Sequence, residues 1–196
     1  MVTIELTDRI ETAVSGELSL DDLFERLERM PVPEGYKTEI VEGTVTMSPQ
    51  RDTHWEIILE IVEQLRTRYA RNRIKSDVRF DFPGHLNGFA PDVVALGENA
   101  QKDAQGRWQH EDVECVAEVL SEGTARNDYG KKKQVYALAE IPVFLIADPY
   151  AGECHLYTNP KDGGYKSELT VAFGESIDLT GTVVGLHLET KDFPRD

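Results

Sequence analysis

Residues 113–139 read VECVAEVLSEGTARNDYGKKKQVYALA, and the architecture turns on this stretch. Side chains alternate along a strand, yet here both sets are mostly apolar. Val113, Cys115, Ala117 and Val119 form one set; Val116 and Leu120 belong to the other. Such a strand belongs in the middle of a sheet covered on both sides. Glu118 interrupts the second set. A buried carboxylate normally shifts its pKa or acquires a partner. Beyond the strand, the spacing of Tyr129, Val135, Tyr136 and Ala139 predicts an amphipathic helix, and Lys132 falls on the same face. An acid and a lysine both turned inward mark either a functional site or a structural ion pair.

Working outward, Pro142–Asp148 is another continuous apolar run. The helix between it and Val113–Leu120 is long enough for a parallel crossover. This pattern gives an α/β (α+β) sheet. Upstream, Tyr36–Met47 reads as a hairpin around Glu42-Gly43, stopped by Ser48-Pro49. Ser19 and Asp22 have capping-box spacing before a helix carrying Leu20, Leu23, Phe24, Leu27 and Met30. Thr53 and Glu56 repeat that spacing ahead of a predicted apolar stripe of Trp55, Ile58, Leu59, Val62, Leu65 and Tyr69. Alternation over 74–82 predicts one half-exposed strand, 83–88 a turn, and the run from Ala90 to Leu96 a short strand opened by Pro91 and Asp92. Residues 97–112 read as a surface loop. Glu153–Thr158, Tyr165–Phe173 and Val183–Leu188 are further strand candidates.

The 196 residues fit a single domain over 19–196 behind an N-terminal arm of residues 1–18. No apolar run approaches a membrane span and no signal peptide is evident, so a cytoplasmic location is expected. Cys115 and Cys154 are too few for a disulfide framework. A net charge of −15 works against sequence-independent binding to phosphate backbones, though a local strip such as Arg126–Lys133 can coexist with it.

Asp92 opens one apolar strand and Glu118 lies near the end of another, so neighbouring strands would bring both carboxylates to one end of the sheet. Hard divalent ions take such oxygen ligands, and a nearby lysine can stabilise charge developing on a phosphorane. Two acids and a lysine are therefore the residue types of metal-dependent phosphodiester hydrolysis. An acidic chain offers many such triplets. The likeness narrows them: Pro91-Asp92, Glu118-Val119-Leu120-Ser121, then Asp128, Lys132 and Tyr136 at four-residue spacing, and the strand ending Ile146-Ala147-Asp148-Pro149. Together with YKTEIVEGTVTMSP upstream, His54, and GECHLYT downstream, these resemble the Uma family, grouped with restriction endonucleases in the PD-(D/E)xK nuclease superfamily.

The resemblance implies a restriction-endonuclease-like mixed β-sheet flanked by helices, and cleavage of DNA with Mg²⁺ or Mn²⁺. Asp92 and Glu118 would bind the metal and Lys132 would be the catalytic lysine, with Glu39, His54, Ser121, Asp128 and Tyr136 as accessory residues. On the residues alone, His54 reads as an ordinary core or surface histidine. Two departures stand out. The superfamily lysine belongs two residues after the second acid, where this chain has Leu120. Glu140 and Val143-Phe144-Leu145 replace a glycine and an aromatic pair. A nuclease fold that has lost catalysis and serves binding or assembly is the rival expectation; a small phosphoester or nucleotide hydrolase is a third. Cutting both strands of DNA favours a homodimer.

Overall fold

The computed structural model describes residues 2–4, 18–121 and 128–196. Its first half holds β1 (Val2–Ile4), α1 (Leu20–Glu28), β2 (Tyr36–Val41), β3 (Thr44–Pro49), α2 (Asp52–Leu65), β4 (Ile74–Lys75), β5 (Phe80–Phe82), β6 (Asn87–Phe89) and β7 (Val93–Leu96). The second half holds β8 (Val113–Val119), a π-helical turn (Asp128–Lys132) running into α3 (Lys133–Leu138), β9 (Val143–Asp148), β10 (Glu153–Lys161), β11 (Gly164–Ala172), β12 (Ser176–Asp178) and β13 (His187–Glu189).

The main sheet runs β11-β10-β9-β8-β7-β4. Strands β8 and β9 are parallel, Cys115 facing Val143 through to Val119 facing Ala147, while the other neighbours are antiparallel. The sheet is therefore mixed, as the crossover requires. Strand β8 sits inside it and is buried on both faces. Cys115, Ala117 and Val119 pack with Ile57, Ile58, Ile61 and Leu65 of α2. Val116 and Leu120 pack with Phe80, Phe89, Tyr136 and Phe144. Val113 joins this second cluster rather than that of Cys115, because the register with β7 shifts at Ala95/Leu96.

A second sheet, β1-β3-β2-β6-β5, is built on the β2–β3 hairpin. Glu42 and Gly43 turn it with φ of 49° and 76°, the left-handed pair that a two-residue hairpin needs. Strand β3 continues through Ser48 and Pro49 instead of stopping there, since Pro49 still lies opposite Tyr36. Leu23 and Leu27 of α1 pack on Ile40, Val45 and Met47 of this sheet. The capping box of α1 forms: the Ser19 hydroxyl accepts from the Asp22 N–H, and the Ser19 N–H donates to the Asp22 carboxylate.

Other expectations are corrected. The alternation over 74–82 is split between β4 in the main sheet and β5 in the second. Asp77, at φ 52°, redirects the chain between them and donates its N–H to the Pro91 carbonyl. Helix α2 begins at Asp52 behind Arg51 with no side-chain cap; Thr53 hydrogen-bonds Asp196 instead. Its buried face is His54, Ile57, Ile58, Ile61 and Leu65, leaving Trp55 55% and Leu59 40% exposed. The tail forms a separate β12–β13 pair in place of one strand over 183–188. Of the expected arm, Val2–Ile4 pairs with β3, and residues 5–17 lie outside the described set. Among the described residues no helix is long and apolar enough to cross a membrane.

Candidate active site

Strand β7 runs antiparallel to β8 with Val93 opposite Ala117, which sets Asp92 beside Glu118. The two are tied through the backbone. The Val119 N–H donates to Asp92 Oδ2 at 2.8 Å, and the Asp92 N–H reaches Glu118 Oε2 at 3.4 Å. The hairpin of the second sheet closes over this end of the two strands. Alternation along β2 sends Lys37 and Glu39 to one side, into the same cleft, with Thr46 and Ser48 of β3 on its wall. The first turn of α2 contributes His54, and the π-helical turn contributes Asp128 and Lys132, spaced i, i+4. The open space left is about 10 Å³, near the size that holds one water or one ion.

Two ammonium groups organise the acids. Lys132 Nζ lies 2.6 Å from Glu118 Oε1, 3.1 Å from Asp128 Oδ1 and 3.1 Å from Glu39 Oε2, three carboxylates for three donors. The Tyr136 hydroxyl donates to the same Glu118 oxygen at 2.6 Å. Lys37 Nζ lies 2.5 Å from Asp92 Oδ1 and 3.7 Å from Glu118 Oε2. His54 Nε2 is 3.2 Å from Asp92 Oδ2, while its Nδ1 is buried with no hydrogen-bond partner among the described residues.

The protonation states follow from burial set against these contacts. Burial alone would strip Lys37 of its proton, but Asp92, Glu39 and Glu118 outweigh it and hold its pKa above the ordinary lysine value. Lys132 is likewise held charged against burial by Glu118 and Glu39. Burial opposes ionisation of Asp92, yet Lys37 and His54 hold its carboxyl well below the usual range. Glu118 goes the other way: burial pushes it up to about 7, with Lys132 and Lys37 opposing. Burial also raises Asp128, and it raises Tyr136, where Glu118 adds to the effect. Burial would lower His54, but the Asp92 hydrogen bond and charge raise it.

The donor set suits a hard cation. Carboxylates from adjacent strands converge on one ammonium, that of Lys37, which marks a position where a single positive charge contacts both. Among the described residues no group of three or more His, Cys, Asp or Glu side chains is placed to hold a metal ion, so an ion at Asp92 and Glu118 would need waters and substrate oxygens for the rest of its coordination, as is common for Mg²⁺.

The structure brings Asp92, Glu118, Lys132, Glu39, His54, Asp128 and Tyr136 into one connected cluster, with Ser121 buried on the cleft wall. Lys37 is the residue the sequence reading passed over. Its signal was its phase: it lies two positions before Glu39 on the same strand. The supposed basic strip is not an open one. Lys132 is buried, Lys131 pairs with Glu42 and Lys133 with Glu168; Arg126 lies outside the described residues. A Cβ on Gly130 would meet nothing within 4 Å, so close packing against the sheet does not account for that glycine.

No curated protein matches the chain. A crystal structure described as a putative nuclease belonging to DUF820, from Anabaena variabilis, shares the fold with a TM-score of 0.67 and 16% identity. The match covers 90% of this chain and 97% of that one. The profile of the Uma2 family, described as "Putative restriction endonuclease", matches residues 23–191. With that match across most of its length and a nuclease-like mixed sheet beneath it, the chain belongs to the Uma2 family.

Proposed function

We propose that the protein is a Mg²⁺- or Mn²⁺-dependent endonuclease that hydrolyses DNA phosphodiester bonds at the Asp92–Glu118 cleft. The observation that carries this reading is the convergence of Asp92 and Glu118, on neighbouring strands, upon a single cation position beside the buried ammonium of Lys132. Asp92 and Glu118 would hold a divalent ion, which when bound supplies Lewis-acid polarisation of the phosphate and a more acidic water. Lys132 places positive charge next to that position, where oxygens of a phosphorane would accumulate negative charge. Glu39 and Asp128 orient Lys132, and Tyr136 orients Glu118. His54 braces Asp92 from α2.

DNA must approach an acidic protein, and α2 offers a local exception. Exposed Trp55 and Leu59 border a groove of about 390 Å³ that also carries Arg66, Arg71 and Lys75, an aromatic face beside cations of the kind nucleic acid strands use.

The rival, a nuclease fold retained for binding or assembly, is favoured by the complete pairing of Lys132 with three carboxylates. Plasmid and oligonucleotide cleavage with Mn²⁺ separates the two. Wild type is expected to cut, and Asp92→Asn and Glu118→Gln to lose on the order of a hundredfold or more in rate while remaining folded by circular dichroism. Equal residual cleavage in all three would sink the assignment.

A further inference from the structure

Resting on the metal-dependent reading above, we propose that Lys37 is a tethered cation occupying the Asp92–Glu118 position when no divalent ion is bound, and that Asp77 receives its ammonium when one binds. Lys132 holds Glu118 through Oε1, so Lys37 faces Asp92 Oδ1 and Glu118 Oε2, the latter also reached by the Asp92 N–H. Any ion bridging the two acids needs those same oxygens. Its binding is therefore a competition with Lys37, and the lysine sets the metal concentration at which the site loads.

The fold provides a way out for the side chain. Lys37 borders the buried cleft on one side and, on the other, an outer groove of about 330 Å³ that includes Tyr36, Gln50 and Asp77. Asp77 Oδ1 is already 3.9 Å from Nζ, and the Asp77 side chain is 51% exposed. Its left-handed backbone and its N–H bond to the Pro91 carbonyl fix it next to the residue that precedes Asp92. A lysine stem has four rotatable carbons, so transfer of the ammonium from Asp92 to Asp77 needs a rotamer change and no backbone movement. A purely structural Lys37–Asp92 pair would account for the burial. It would not call for a half-exposed carboxylate at the outer end of the same stem.

The test is calorimetric titration of Mn²⁺ into wild type, Lys37→Met, Lys37→Gln and Asp77→Asn, with thermal unfolding as a second readout. If Lys37 vacates the site in on the order of one molecule in ten, its removal tightens Mn²⁺ binding about tenfold. Both Lys37 variants are expected to melt below wild type without metal and to recover most of that difference at saturating Mn²⁺. Asp77→Asn, which removes the alternative partner, is expected to weaken binding several-fold; an unchanged affinity there would overturn the role of Asp77. Lys37→Gln keeps a hydrogen bond to Asp92 and carries the test if Lys37→Met does not fold. Folded Lys37 variants that bind Mn²⁺ no better than wild type would overturn the proposal. Absence of Mn²⁺ binding in wild type and variants alike is a different result: it removes the metal reading of the site, and this proposal with it.

Discussion

Asp92 and Glu118 are clasped across two strands: the N–H that follows Glu118, on Val119, donates to Asp92 Oδ2, and the N–H of Asp92 donates to Glu118 Oε2. Each carboxylate is thus positioned by the backbone of the other's strand. His54 shares Asp92 Oδ2 with the Val119 N–H, while the other two oxygens go to lysines: Asp92 Oδ1 to Lys37, and Glu118 Oε1 to Lys132 together with the Tyr136 hydroxyl.

The Lys132–Glu118 pair yields a prediction about coupling. Both side chains are buried, so Lys132→Met leaves Glu39, Glu118 and Asp128 without their common counter-ion and is expected to cost about 3–5 kcal/mol. Adding Glu118→Gln removes one of the three stranded charges and should recover part of that loss. Urea unfolding of the single and double variants measures the coupling. Strict additivity would mean that the pair contributes nothing beyond its separate parts.

The pH dependence of stability takes its sign from Glu118, with His54 and Asp128, both also raised, acting in the same direction. The folded pKa of Glu118, about 7, lies above the ordinary 4.5, so the stability it contributes is fully present below about pH 4.5 and is lost as pH rises through about 7. Asp92 acts oppositely, its contribution being present above about 3.8 and lost only as pH falls through its depressed value. Melting temperature of the metal-free protein is expected to be lower at about pH 8 than at about pH 5, and Glu118→Gln to flatten that slope. Saturating Mg²⁺ should raise the melting temperature at about pH 8 and release protons measurable in buffers of different ionisation enthalpy. A slope of the opposite sign that Glu118→Gln leaves untouched would contradict the assignment.

Tyr136 separates packing from polarity. Its ring sits 4.9 Å from Phe144, 5.1 Å from Phe82 and 5.7 Å from Phe89 between centroids, and its hydroxyl serves Glu118. Tyr136→Phe keeps the ring contacts and removes a donor to a buried carboxylate, at an expected cost of roughly 1.5–3 kcal/mol. The urea midpoint should fall with the slope of the transition unchanged.

Two glycines should respond in opposite directions. A Cβ on Gly88 would run into the Phe24 ring and approach Leu20, so Gly88→Ala must displace the Phe24 side chain from its seat between α1 and the second sheet; about 1–3 kcal/mol of destabilisation is expected. Gly130, where a Cβ meets nothing within 4 Å, should gain up to about 1 kcal/mol on substitution by Ala through helix propensity. Thermal unfolding of both variants checks the pair. A stability loss at Gly130 would point to strain in the π-helical turn.

Much of this protein was legible in local pattern. The twofold apolar run of β8, the Glu42-Gly43 turn, the Ser19–Asp22 cap and the crossover into β9 are each decided within a few residues, where side-chain period and turn chemistry act. Glu118 and Lys132 were visible for the same reason, as charges standing on apolar faces, whereas Asp92 stood only at the head of an apolar strand and was singled out by the family likeness. The break at Asp77 was not. A single left-handed residue redirects the chain while Ile74, Ser76, Val78, Phe80 and Phe82 stay in one alternating phase, so the period carries no trace that two sheets share it. The alignment of Trp55 and Leu59 with the apolar stripe of α2 was equally misleading, because which flank of a broad stripe is covered depends on the sheet that packs there. Lys37 shows the limit most plainly. On β2 by itself it reads as one more charge on a half-exposed strand. Only the closing of the second sheet over one end of β7 and β8 sets it against Asp92. Periodicity is local, whereas neutralising a buried charge is a sum over Lys37, Glu39, Asp92, Glu118, Asp128 and Lys132, residues that only the tertiary structure brings together.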